Sequence, residues 1–142
     1  MGQILEARVE QDGPSSAVGI VRTHRVAIDR PVAKGGTDKG PLGGEYLLVS
    51  LGGCFMSNLL AAIRAREVAL SNLRIALSAT VESTPDRVTA ITMHVGADGA
   101  DRAMLEKLVD IAGRACIVTN TLKLAVPITV TCDAATSAAT TL

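Results

Sequence analysis

Three cysteines in a chain of 142 residues carry most of the reactive chemistry this sequence offers. Cys54 follows the pair Gly52-Gly53 inside a long uncharged run, and small residues beside a thiol let a backbone or a substrate approach closely. Cys116 stands 62 positions later, in Arg114-Ala-Cys-Ile-Val-Thr-Asn120. Cys132 closes a last apolar stretch beside Asp133, whose charge disfavours a thiolate. A single cysteine reads by default as a small core hydrophobe. If Cys54 and Cys116 meet, a different chemistry follows. A thiolate, favoured by a nearby Arg, attacks a peroxide O–O bond and becomes a sulfenic acid. The second thiol then closes a disulfide, which external thiols reset by exchange. Such a pair needs no metal or organic cofactor, and the sequence has no P-loop or dinucleotide fingerprint.

The N-terminal stretch offers two arginines on an alternating run. Val18 to Asp29 alternates, placing Arg22 and His24 on one parity with Val26 and Ile28, and Arg25 on the other. An Arg on that parity either snorkels at a sheet edge or holds an anion. The only two histidines, His24 and His94, have no carboxylate or cysteine at zinc-site spacing, so no metal is expected.

The elements that position these residues follow from periodicity. Gly43 to Val68 has no charge between Tyr46 and Ile63 and reads as a central core helix. Gly52-Gly53 and Ser57-Asn58 interrupt it, and Glu45 and Arg64 bound it, so it falls short of a membrane span of roughly 20 apolar residues. Glu45 lies in its first turn, where a carboxylate suits the helix dipole. Upstream, Ile4 to Val9 and Val18 to Asp29 read as two antiparallel strands. The glycine-rich stretch from Pro31 to Gly44 reads as a functional or disordered loop. Downstream, Asn72 to Ser83 and Val88 to Val95 alternate around Thr84-Pro-Asp86 as a hairpin. Asp98 or Asp101 is the candidate N-cap of an amphipathic helix carrying Met104, Leu105, Leu108, Ile111 and Ala112. Val126 to Cys132 is a final strand, and Pro127 suggests an edge. Residues 134–142 form a tail with no reason to be ordered. The order is α+β, one domain over residues 1–142, with sheets packed on a buried helix.

Composition narrows the functional classes. Fourteen basic and 14 acidic residues balance, and there is one Tyr, one Phe and no Trp. Neither a global positive field nor stacking platforms favour nucleic acid. The apolar content for this length suggests burial against a second copy of the chain. The N-terminus lacks the pattern of a signal peptide and of a myristoylation site, so the chain reads as cytosolic, where cysteines are more often redox-active or inert than structural.

Two stretches together carry a resemblance. The run Asp29-Arg-Pro…Gly35-Gly-Thr-Asp-Lys-Gly-Pro41 with Glu45-Tyr-Leu-Leu-Val-Ser-Leu-Gly-Gly-Cys54, and the later Cys116-Ile-Val-Thr-Asn-Thr-Leu122, resemble the OsmC/Ohr superfamily from about Val21 to Thr131. The resemblance implies an intertwined homodimer in which antiparallel sheets surround a long central helix. It implies thiol-dependent reduction of organic hydroperoxides, in some members with a dihydrolipoyl reductant. Cys54 matches the peroxidatic position and Cys116 the resolving one. The departures are specific. Ile117 replaces the usual proline, and Gly44 occupies the carboxylate position of the Ohr branch, leaving Glu45 as the candidate. On an ideal helix Glu45 and Cys54 point to opposite sides, so Glu45 reaches the site only through a kink or from the other subunit. The catalytic Arg has no clean match; Arg22 and Arg25 are candidates, with parity favouring Arg22. These features place the chain in a divergent branch. The alternative reading is a binding module for a small apolar ligand, with the cysteines only lining its cavity.

Overall fold

The computed structural model describes residues 2–99, 101–133 and 140–141. It divides into two compact units, Met1–Leu47 and Leu48–Leu142.

The first unit is a three-stranded antiparallel sheet followed by a long loop. Its strands are β1 (Arg8–Gln11), β2 (Ala17–Val21) and β3 (His24–Ile28), in the order β1-β2-β3. The alternating run from Val18 to Asp29 is therefore not one strand but a hairpin. Val21 pairs with His24 across the two-residue turn Arg22-Thr23, and Arg22 has φ +54°. A positive φ at the first central position matches the twist of a tight hairpin, and it outweighs the apolar parity that runs on through the turn. Arg22 consequently belongs to neither face of a strand, and parity no longer separates it from Arg25, which pairs with Ile20.

The loop after β3 is built around one carboxylate. Asp29, only 2% exposed, accepts hydrogen bonds from the Ser15 hydroxyl (2.9 Å), the Arg30 N–H (2.7 Å), the Thr37 hydroxyl (2.7 Å), and the N–H groups of Thr37 and Lys39 (both 3.2 Å). The Asp29 N–H in turn donates to Pro41 O at 3.1 Å. The stretch also holds a 3-10 turn, Val32–Lys34. It winds so tightly that a Cβ on Gly36 would stand 2.0 Å from Arg30 O, and one on Gly40 2.4 Å from Ala27 O. The glycine-rich stretch is thus an ordered scaffold.

The second unit is a four-stranded mixed sheet covered by helices. Its order is β4 (Ser71–Glu82), β5 (Arg87–Asp98), β6 (Ile128–Cys132), β7 (Thr140–Thr141). β4 and β5 form the expected antiparallel hairpin, with Ile91, Met93 and Val95 buried and Thr92 and His94 exposed. β6 returns parallel to β5 and pairs on its other side with β7. Two corrections follow: the sheet is not wholly antiparallel, and β6 is not an edge. Pro127 is tolerated because it precedes the strand and offers only its carbonyl, which accepts the Ile91 N–H at 3.0 Å. The tail expectation for residues 134–139 and 142 lies outside the described residues.

Two helices make the crossover from β5 to β6. α2 (Arg102–Ala115) is capped by Asp101, whose side chain accepts the Met104 N–H at 2.8 Å; Asp98 instead ends β5. Leu105, Leu108, Val109 and Ala112 are buried. A six-residue helix, α3 (Ile117–Leu122), follows at once.

The long helix α1 (Gly43–Arg66) begins in the first unit and continues in the second. It runs unbroken through Ser57 and Asn58, because each side chain bonds back to the carbonyl four residues earlier, at 3.0 and 2.9 Å. Leu51, Phe55, Leu59 and Ala62 recur every three to four residues and join the core with Met93, Leu105 and Leu108. Besides this stripe only Gly52 of the helix is buried. Val49 and Leu60 are 59% and 46% exposed in the single chain. By length and composition α1 would also pass for a membrane span, a test that core helices of soluble proteins pass too.

The Thr37 hydroxyl foremost, with the Lys39 and Arg30 N–H groups and the Ser15 hydroxyl, holds the Asp29 carboxyl well below the usual carboxylate range and outweighs its burial. A depressed folded-state pKa stabilises above the unfolded value and loses that contribution as pH falls through the folded one. We therefore expect the first unit to weaken as pH drops below about 4. Asp29→Ala should lower the unfolding midpoint at neutral pH and flatten that acid limb, measured by denaturant titration across pH.

Candidate active site

Cys54 occupies the middle of α1, and the glycines before it have separate uses. A Cβ on Gly52 would come 2.7 Å from Leu77 Cδ1, so the absent side chain lets the helix lie close on β4. Gly53 faces open space, with nothing within 4 Å of a Cβ, and leaves one side of Cys54 clear. Cys54 itself is half-buried.

Cys116 is a junction. It is at once the residue after α2 and the N-cap of α3. Its extended backbone turns the chain between the helices, and its sulfur accepts the Thr119 N–H at 3.4 Å in place of the usual capping oxygen. The residue is completely buried. The site fits between these helices because the α1 stripe and the α2 stripe share one core.

The structure brings the two sulfurs together. Burial, first, pushes the Cys116 thiol up; the Thr119 hydroxyl and N–H pull it back, and Cys54 raises it again as hydrogen-bond partner and neighbouring charge. None of the three cysteines is in a disulfide. Cys132 is remote in character: burial raises its thiol first, then Glu106, while Arg102 opposes. The sequence expectation named Asp133 as the cause, whereas desolvation comes first because Cys132 points into the core from β6.

Two polar groups that the sequence reading passed over meet the sulfurs. Asn58 Nδ2, already bonded to the Cys54 carbonyl, lies 3.8 Å from Cys54 Sγ. Its spacing of four on a helix was the available signal, since such residues share a face. Thr119 is the other, placed three residues past a cap.

The remaining expected residues lie in the first unit. Arg22 occupies the exposed β2–β3 turn and Arg25 an exposed position on β3. The Glu45 carboxylate accepts the Leu42 N–H at 2.8 Å, the reciprocal bond of a capping box, and so helps start α1. His94 meets Thr131 and Asp133 on the outer side of the second sheet. Among the described residues no cluster suited to a metal ion occurs.

The comparisons agree with this architecture. The family model described as OsmC-like protein matches residues 36–131. The chain superimposes on a hypothetical protein from Aquifex aeolicus VF5 with TM-score 0.80 at 17% identity, covering 93% of this chain and 96% of that one. The OsmC-like protein of Mycoplasma pneumoniae gives 0.77 at 17% identity, over 93% and 99%. An organic hydroperoxide resistance protein OsmC from Legionella pneumophila gives 0.72 at 15%, over 92% and 96%. At these identities the likeness establishes the fold. No curated protein matches the sequence.

Asn58→Leu removes the amide from Cys54 without emptying the site. A hydrogen bond to a partly buried charged group contributes about 1 kcal/mol or more, so thiolate reactions of Cys54 should slow by about fivefold or more. Alkylation of Cys54 timed by intact mass reads this, and an unchanged rate would show the amide is only structural.

Proposed function

Because the chain belongs to the OsmC-like protein family, we propose that it is a thiol-dependent peroxidase that reduces organic hydroperoxides through Cys54 and Cys116. The observation that carries this reading is the packing of two thiols of unequal burial, far apart in sequence, against one core, near enough for Cys54 to act on the Cys116 thiol.

The inequality sets the order of events. Cys116 is sealed in the core and its thiol is held protonated by burial, while Cys54 is partly open beside Gly53 and has an amide donor. Cys54 is therefore the attacking sulfur. Its thiolate takes the terminal peroxide oxygen, the O–O bond breaks, and the alkoxide leaves as an alcohol after protonation. Cys116 next displaces the hydroxyl of the Cys54 sulfenic acid, giving a disulfide and water. Two equivalents of external thiol, or one dithiol of lipoyl type, restore both cysteines. No cofactor enters these steps. The guanidinium is assigned to Arg22 or Arg25, and the carboxylate to Glu45, from either copy of a homodimer. Neighbouring folds that bear the name organic hydroperoxide resistance protein support the substrate class. The exposed apolar side of α1, with Val49 and Leu60, supports the dimer.

A binding module remains the second reading, favoured by the same open flank at Gly53. Thiol chemistry separates the two. Cumene hydroperoxide should consume two thiols per chain, Cys54→Ser should abolish turnover, and Cys116→Ser should allow one oxidation and then drive Cys54 to sulfinic acid. Thiol counts that do not change with peroxide would remove the peroxidase reading. Light scattering should give twice the 14.6 kDa chain mass; a monomer would contradict the homodimer.

A further inference from the structure

Thr119 holds a buried hydroxyl beside the Cys116 sulfur that makes no well-formed hydrogen bond. The residue is 1% exposed, and its hydroxyl oxygen is the one buried side-chain N or O among the described residues with no hydrogen bond. Native structures rarely leave a buried polar group unpaired without a reason. Thr121, two residues on, satisfies its own hydroxyl on the Ile117 carbonyl at 2.8 Å. Thr119 does not follow this pattern, and its backbone N–H already points at Cys116 Sγ.

The chemistry of sulfur explains the vacancy. A thiol is a weak acceptor, whereas a thiolate is a strong one. We infer that the Thr119 hydroxyl is the hydrogen-bond donor reserved for the Cys116 sulfur when that sulfur is negatively charged, which makes Thr119 a catalytic residue of the resolving and resetting steps. The hydroxyl favours the Cys116 thiolate against the burial that opposes it, and the titratable group acting on that sulfur is Cys54. This inference rests on the peroxidase reading for its place in a cycle.

In the resolving step Cys116 loses its proton and attacks the Cys54 sulfur. The S–S bond forms as the S–O bond breaks, and the departing hydroxide takes up that proton as water. The Cys54 sulfur is reduced and the Cys116 sulfur oxidised. During reset an external thiolate attacks Cys54, and Cys116 departs as the thiolate that the hydroxyl receives.

Thr119→Val keeps the shape and removes the donor, while Thr119→Ser keeps the donor. On rapid mixing with cumene hydroperoxide, Thr119→Val should form the Cys54 sulfenic acid at the parental rate. It should close the disulfide about tenfold more slowly and accumulate sulfinic acid in excess peroxide; Thr119→Ser should behave as the parent. A second measurement needs no peroxide. In the Cys54→Ser background, the Cys116 Cβ chemical shift followed against pH should titrate higher with Val and unchanged with Ser. A parent inert to peroxide would end the peroxidase reading, and the titration would still decide the donor. A Val variant that titrates and resolves like the parent overturns the inference, and so does a Ser variant as impaired as Val.

Discussion

The second unit depends on how closely α1 can lie on the sheet. Every residue of its inward stripe, Leu51, Phe55, Leu59 and Ala62, must touch β-strand or α2 side chains at van der Waals distance, because dispersion fades within a fraction of an ångström of a gap. Gly52 is what permits that distance, with the Leu77 methyl occupying the place of a side chain. Cys54 sits two residues on, at about 200° around the helix from Gly52, and packs against the same core at the other edge of the stripe.

The first unit solves a different problem with a charge. Its loop is too rich in glycine to be held by side-chain packing, and every fixed glycine costs backbone entropy. Asp29 offsets that cost by collecting donors from both sides of the loop, and the glycines let the chain close around it. The residues that most strongly mark the family resemblance here are therefore scaffold. Their types and spacing report a carboxylate-centred turn system.

Period-two and period-3.6 patterns made β4, β5, α1 and α2 legible, because each buries one side against the same core. The Val18 to Asp29 run misled for the same reason. Apolar residues of both strands fall on even positions across Arg22-Thr23 although those positions face opposite sides in the hairpin, and this turn holds no glycine or proline to announce it. The parallel return of β6 was hidden because pairing direction is set by the crossover, which no local pattern encodes. For the site, Cys54 and Cys116 were visible as residue types, but their meeting was not. α3 was missed because its cap is a sulfur, which standard capping preferences do not include. The Glu45 expectation illustrates a competing use: one carboxylate at the third helical position already has a donor to satisfy at Leu42.

The asymmetry between the two sulfurs also bears on which of them ionises first. Two equally exposed thiols side by side would compete to ionise, and each thiolate would discourage the other. Enclosing one removes the competition: Cys116 stays neutral and presents no charge to oppose Cys54. Enclosure alone would also make Cys116 a poor nucleophile, since the thiolate is the reactive form. The cap at α3 answers this, because the Thr119 N–H already donates to the sulfur and gains strength once charge appears there. A buried reactive thiol must carry its own donor, and a helix that begins on that thiol supplies one without admitting water.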